Sequence, residues 1–203
     1  MDFDKVFHHE NQDRDKFLSR IFGIFSEDIV RKWASNETSA PYKDEGRPTV
    51  KTTEEIEKGK RGRTFDFALR EKKTNRLFAC EQKCELQFEG YKYLELSKPE
   101  QLEHHMSSES FKRFLNVGVS PANYKALVNG RQESVDGTIL IWGKVSRDGK
   151  EAVRKFYHLH AILSLEEIIG DLIDWRSSGY FKLIDEKDQW CCDLFEDLRT
   201  PRC

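Results

Sequence analysis

The sequence predicts an α/β domain built on a central mixed sheet with helices on its faces. Three observations carry this. Apolar residues recur at helical spacing near the N-terminus, two adjoining stretches alternate apolar and polar residues, and an apolar strand lies between two capping-box signatures. In chain order these give helix, strand, strand, strand, helix, strand, with further elements behind. Such a mixed order suits a layered α/β arrangement. A chain of 203 residues is read as one domain, 1–203.

Residues 13–34 form the first helix, with Phe17, Leu18, Ile21, Phe22, Phe25, Ile29 and Trp33 on one stripe. Residues 48–53, rich in β-branched side chains, are a short strand. Residues 54–63 are a charged loop ending in Lys58-Gly59-Lys60-Arg61-Gly62-Arg63. Thr64 to Arg70 alternates, placing Phe65, Phe67 and Leu69 on one face. Leu77 to Leu86 is a second strand, and the polar run between them makes a β-hairpin. Ser97 and Glu100 form a capping box that opens a helix to Leu115, with a break near Ser108 and Gly118 as its stop. Ser120-Pro121 starts a short helix that Asn129-Gly130 ends. Thr138 to Ser146 is an apolar strand, and Asp148-Gly149 a tight turn into a strand over about 151–162. Ser164 and Glu167 cap a helix through Trp175. A strand at Tyr180–Ile184 and a helix near 188–198 follow Gly179.

Composition narrows the function classes. Charged residues make up 34% of the chain, but 14 Phe, 4 Trp and 6 Tyr can build a core, which argues against disorder. No apolar run approaches the roughly 20 residues that span a bilayer. The acidic start Met1-Asp2-Phe3-Asp4 has no apolar stretch behind it, so no signal peptide is expected and the protein is read as intracellular and cytoplasmic, with no membrane partner. The odd set Cys80, Cys84, Cys191, Cys192 and Cys203 does not suggest a disulfide scaffold. Zinc is a poor fit, because positions four apart on a strand lie roughly 13 Å apart. The net charge of −2 hides an uneven distribution. Arg47 to Arg76 carries ten basic and five acidic residues, and Glu166 to Cys203 the reverse. A locally basic segment suits a polyanion, although charge alone favours a solvated loop.

The hairpin carries the chemistry. Strand residues alternate faces. If Glu71 and Arg76 flank a four-residue turn, paired positions sum to 147 and Asp66 faces Glu81. Facing carboxylates repel and weaken a sheet, so something must offset them. A divalent cation is the natural candidate, since hard cations take oxygen ligands. Lys83 shares the face of Glu81, and the carbonyl of Gln82 adds a further oxygen. The alternative is an exposed hairpin face with an ordinary Glu–Lys pair.

Asp66 followed by Glu81-Gln82-Lys83 resembles the motif of the PD-(D/E)xK nuclease superfamily, an Asp on one strand and an acid-x-Lys triplet on the next. Gly62-Arg63-Thr64-Phe65-Asp66, the lead Leu77-Phe78-Ala79-Cys80 and the element order are also similar to that family. The resemblance covers about 13–145 and implies an αβββαβ restriction-endonuclease-like core, with about 146–203 as a C-terminal extension. Phe65 replaces the Pro that often precedes the Asp. Glu10 and Glu27 are the candidates for the first-helix acid that many members use. The resemblance implies a hydrolase: a Mg²⁺- or Mn²⁺-dependent endonuclease cutting phosphodiester bonds, with DNA the expected nucleic acid. Asp66, Glu81 and Lys83 would be catalytic, and Asp66, Glu81 and Gln82 would hold the metal. Many members act as homodimers, which suits cutting two strands.

On that reading the loop residues Lys58, Lys60, Arg61 and Arg63 enter the Asp66 strand and hold the phosphate backbone. His104 and His105 lie on the helix after the motif. His158 and His160 alternate on a strand without an evident third ligand. Two other classes stay open: a non-catalytic nucleic-acid-binding module of the same fold, and a protein-interaction domain using the acidic C-terminal part.

Overall fold

The computed structural model describes residues 16–84 and 95–199. Glu10, Leu86 and Cys203 lie outside the described residues. Helix α1 (Lys16–Ala34) is followed by β1 (Tyr42–Asp44), β2 (Thr49–Thr52), a short α2 (Thr53–Glu57), β3 (Arg63–Thr64) and the hairpin β4 (Phe67–Glu71) and β5 (Leu77–Lys83). After β6 (Glu95–Leu96) come a 3₁₀ helix (Pro99–Ser107), α3 (Glu109–Val119), β7 (Tyr124–Val128), β8 (Arg131–Ser134), β9 (Thr138–Trp142) and β10 (Lys144–Val145). The chain continues through α4 (Arg147–Phe156), β11 (Ala161–Ser164), α5 (Leu165–Asp174) and α6 (Ser178–Arg199).

The central sheet is mixed, as expected, with strand order β1-β4-β5-β9-β11. β1, β4 and β5 are antiparallel neighbours, while β5, β9 and β11 run parallel. β9 after Thr138 and the first four residues of β5 read as apolar runs because both sheet faces are covered. On one face α1, α5 and α6 bury Ile29, Trp33, Ile168, Leu172 and Leu183 against Phe67, Phe78 and Ile141. Trp33 Nε1 donates to Asp171 Oδ2 at 2.8 Å, satisfying the indole of a buried ring and pinning α1 to α5. On the other face α3 lays Phe111, Phe114 and Val117 on Ala68, Ala79 and Leu140. A second, antiparallel sheet in the order β3-β2-β7-β8 closes this side through Val50, Ala126 and Val128.

Several elements differ from the sequence reading. The charged loop contains α2, fixed by a capping box: Glu55 N–H donates to Thr52 Oγ1 and Thr52 N–H to Glu55 Oε2. The helix at 97 is capped by Gln101 rather than Glu100. Gln101 Oε1 accepts the N–H groups of Ser97 and Lys98. Ser108 does interrupt it, as the cap of α3. Gly118 is inside α3, where it lets the helix approach Thr138. The expected helix at 121–129 is a brief 3₁₀ turn and then a hairpin, with Asn129 and Gly130 both at positive φ as a type I′ turn requires. The expected strand at 151–162 is mostly α4, capped by Ser146, and only Ala161–Ser164 is a strand. Gly149 sits in the first turn of α4 because a Cβ there would meet Ser97 Cα at 2.4 Å. The strand expected at 180–184 belongs to the single helix α6. The Ser164 cap of α5 is present.

Candidate active site

The site is built from the β4–β5 ladder. Phe67 pairs with Cys80 and Leu69 with Phe78, so paired numbers sum to 147 as expected. The register ends at Phe67–Cys80; Asp66 N–H donates to Cys80 O at 3.1 Å, so Asp66 is bulged off the ladder rather than paired with Glu81 as expected. One feature of the strand differs. Residues 64–70 do not alternate throughout, because the chain bends at Asp66. Phe67 and Leu69 enter the core under α1, whereas Phe65 goes to the opposite core with Ala68. The bend turns the Asp66 carboxylate toward the end of β5.

There Asp66 Oδ2 accepts the backbone N–H of Gln82 at 2.8 Å, and Asp66 Oδ1 receives Arg47 Nη2 at 3.3 Å. Lys83 Nζ donates to Glu81 Oε1 at 2.6 Å and lies 6.0 Å from the centre of the Phe111 ring. Glu81 is only 8% exposed. Burial raises its carboxyl above the ordinary carboxylate range; Lys83 opposes the rise and the negative charge of Asp66 adds to it. Asp66, Glu81 and Lys83 are therefore brought together. The Gln82 side chain points to the other face, where its Nε2 donates to Ser26 Oγ on α1 and its buried Oε1 has no partner among the described residues.

Three further side chains lie around this cluster. Glu27, one of the two first-helix candidates, lies on α1 with its carboxyl raised, first by burial and then by the charge of Asp66. Arg31, one turn further on, pairs with Glu27 at 3.5 Å and with Asp44 at 2.9 Å, and its guanidinium stacks 4.7 Å from the Phe67 ring centre. Arg47 is the cation on Asp66, and its membership of a basic stretch was the one sequence signal for it.

The basic loop leads into this corner through β3. Lys60, Arg61 and Arg63 are exposed, while Lys58 is turned back to Glu54 at 2.5 Å. His104 and His105 lie on the 3₁₀ helix, their ring centres 3.7 Å apart, with His105 against Phe111 and Trp142. His158 and His160 are not on a strand. His158 sits in a turn at φ 55° and His160 stacks on Phe78 at 3.9 Å, which separates them as ligands. Cys80 and Cys84 are buried free thiols, their pKa values pushed up by burial, so neither is a nucleophile.

Among the described residues no group of three or more His, Cys, Asp and Glu side chains could hold a metal ion. Two carboxylates and the Gln82 carbonyl are nevertheless hard oxygen donors of the kind Mg²⁺ takes, with water completing its shell. A cation would also relieve the burial and repulsion that raise Glu81. No helix among the described residues is long and apolar enough to cross a membrane. No protein-family model, curated protein or solved structure matches the chain.

Proposed function

We propose that this chain is a metal-dependent nuclease that hydrolyses phosphodiester bonds, with DNA as its substrate. The observation that carries the reading is the meeting of Asp66 and Glu81 at the end of the hairpin, where the charge of Asp66 helps raise the Glu81 carboxyl, with Lys83 Nζ 2.6 Å from Glu81. Supporting it, the elements α1, β1, β4, β5, α3 and β9 follow the αβββαβ order of a restriction-endonuclease-like core. The site also lies at the carboxyl ends of the parallel strands β5 and β9, where open α/β sheets bind ligands.

A Mg²⁺ or Mn²⁺ ion held by Asp66, Glu81 and the Gln82 carbonyl would supply Lewis-acid polarisation of the scissile phosphate and a more acidic water. The residues of the chain do the remainder. Asp66 is held in place by the Gln82 N–H, so its free lone pairs have a fixed direction. Lys83 orients the attacking water and stabilises charge developing on the phosphate oxygens. Arg47 lies beside Asp66 and can take up a neighbouring backbone phosphate. Lys60, Arg61 and Arg63 extend that contact along the strand. A homodimer would bring two such sites to the two strands of a duplex.

The test is incubation with supercoiled, linear, single-stranded and branched DNA in Mg²⁺, Mn²⁺ or EDTA. Cleavage that needs the metal and is lost in Asp66→Ala, Glu81→Ala and Lys83→Ala is the expected result. Cleavage that persists in Glu81→Ala removes this hairpin as the active site. The close Glu81–Lys83 ion pair is also what a structural pair would show. It favours, as second reading, a nucleic-acid-binding module that keeps the fold without cutting.

A further inference from the structure

We propose that the outward face of the second sheet is a docking surface for the phosphate backbone of double-stranded DNA. This deepens the nuclease reading, on which it rests for the kind of partner. Directly paired residues of an antiparallel sheet share a face. Val50 pairs with Ala126, and both are buried toward the core. The next pairs on either side, Lys51 with Lys125 and Thr49 with Leu127, therefore point outward. The same face carries Thr64, Gln132 and Ser134, through the pairs Thr49–Thr64, Leu127–Gln132 and Lys125–Ser134. Thr49 and Thr64 hydroxyls meet at 3.2 Å and Lys125 Nζ reaches Ser134 Oγ at 2.8 Å, consistent with a shared face.

The face is built against its own stability. Two lysines stand directly opposite each other, a like-charge cross-strand pair that weakens a sheet. Among the described residues neither lysine makes an ion pair with an acid. Glu133, the acid in these four strands, is on the other side, bonded to Arg70 at 2.6 Å. Gly62 carries the basic loop closely over Lys51, since a Cβ there would meet Lys51 Cγ and Val50 O at 2.6 Å. Lys60 and Arg61 are thus added beside the pair.

The face also leads to the site. Thr49 follows Arg47-Pro48, and Arg47 pairs with Asp66. Thr64 precedes Phe65-Asp66. Cations and hydroxyls without an aromatic ring suit phosphate contacts rather than base stacking, hence a duplex rather than a single strand.

The experiment is fluorescence anisotropy of a labelled DNA duplex, and of one of its strands, in EDTA across a salt series. Wild type is compared with Lys51→Ala/Lys125→Ala and Lys51→Arg/Lys125→Arg. The alanine pair is expected to bind duplex roughly tenfold or more weakly and to flatten the log–log salt slope by about 1.8, two phosphates at about 0.9 each. The arginine pair restores both, and the melting temperature of the alanine pair is unchanged or higher. An unchanged slope overturns the proposal, as does wild type that binds no duplex at low salt, or a loss confined to the single strand. An unchanged slope with metal-dependent cleavage intact removes the sheet surface and leaves the nuclease reading. A lost slope with no cleavage by any form keeps the surface and removes the cleavage.

Discussion

The carboxylate of Asp66 accepts the backbone N–H of Gln82 at 2.8 Å, taking the place of a strand partner where the chain bends. An acid of the proposed site is thereby also a structural acceptor. On the sequence alone, removing either acid should only relieve repulsion between them. The structure corrects this for Asp66. Asp66→Ala leaves the Gln82 N–H unpaired and is expected to cost about 1–2 kcal/mol in urea unfolding. Asp66→Asn keeps an acceptor and should cost less, while abolishing cleavage as fully. Equal stability losses in the two variants would show that the hydrogen bond contributes nothing.

Glu81 should behave in the opposite way. Its carboxyl is raised chiefly by burial. Such a group binds its proton more tightly folded than unfolded. Its stabilising contribution is complete below the unfolded value of about 4.3 and is lost as pH rises through the higher folded value. Above that, the buried charge is a cost that Lys83 only partly offsets. Glu81→Gln should therefore match wild type near acid pH and exceed it at neutral pH by a few tenths to about 1 kcal/mol. Added Mg²⁺ should raise the melting temperature of wild type and not of the variant. A variant less stable than wild type at neutral pH would mark Glu81–Lys83 as a structural pair.

The hairpin was legible because a period of two and a turn of fixed length determine register completely. Once Glu71 and Arg76 flank the turn, Phe67 must face Cys80, and only the bulge at Asp66 takes that residue off the expected pairing with Glu81. The bend that sends Phe65 and Phe67 to opposite cores was not legible, since their spacing fits an unbroken strand equally well. At 178–199 the positions Tyr180, Leu183 and Ile184 suit a helix, and Gly179 was wrongly read as a boundary. Asp148-Gly149 has turn composition, and only packing against Ser97 reveals why a helix keeps glycine there. The Thr52–Glu55 box and Asn129-Gly130 were local signals that could have been read. Glu27 and Arg47 join the site through tertiary approach alone, which no spacing encodes.

Glu55 links the basic loop to the core. Arg113 on α3 grips it with two bonds of 2.7 Å each, and this, with the Thr52 cap, lowers its carboxyl to about 2. A lowered carboxyl contributes stability above its unfolded value of about 4.3, and that contribution is lost as pH falls toward the folded value. Glu55→Gln is expected to cost about 1.5–3 kcal/mol at neutral pH, the range for hydrogen bonds to charged groups, and progressively less as pH drops below 4. Denaturant melts of both proteins across that range check it. A deficit that stays constant into acid would mean that the charge of Glu55 is irrelevant.

The packing of α3 on β9 gives a test independent of the site. A Cβ on Gly118 would stand 2.6 Å from Thr138 Oγ1 and 3.2 Å from His158 O. Thr138 is fully buried, and its hydroxyl has no partner among the described residues. Gly118→Ala gains up to about 1 kcal/mol of helix propensity but overpacks this contact, at roughly 1–3 kcal/mol. The balance should be destabilising. Thr138→Ala removes both the unpaired hydroxyl and the atom in the way, so it should be nearly neutral alone and should make room for the new methyl. The double variant is then expected to be more stable than Gly118→Ala, with a coupling of about 0.5 kcal/mol or more in a double-mutant cycle. Strict additivity would show that the helix shifts as a body and that the Gly118–Thr138 contact does not set its position.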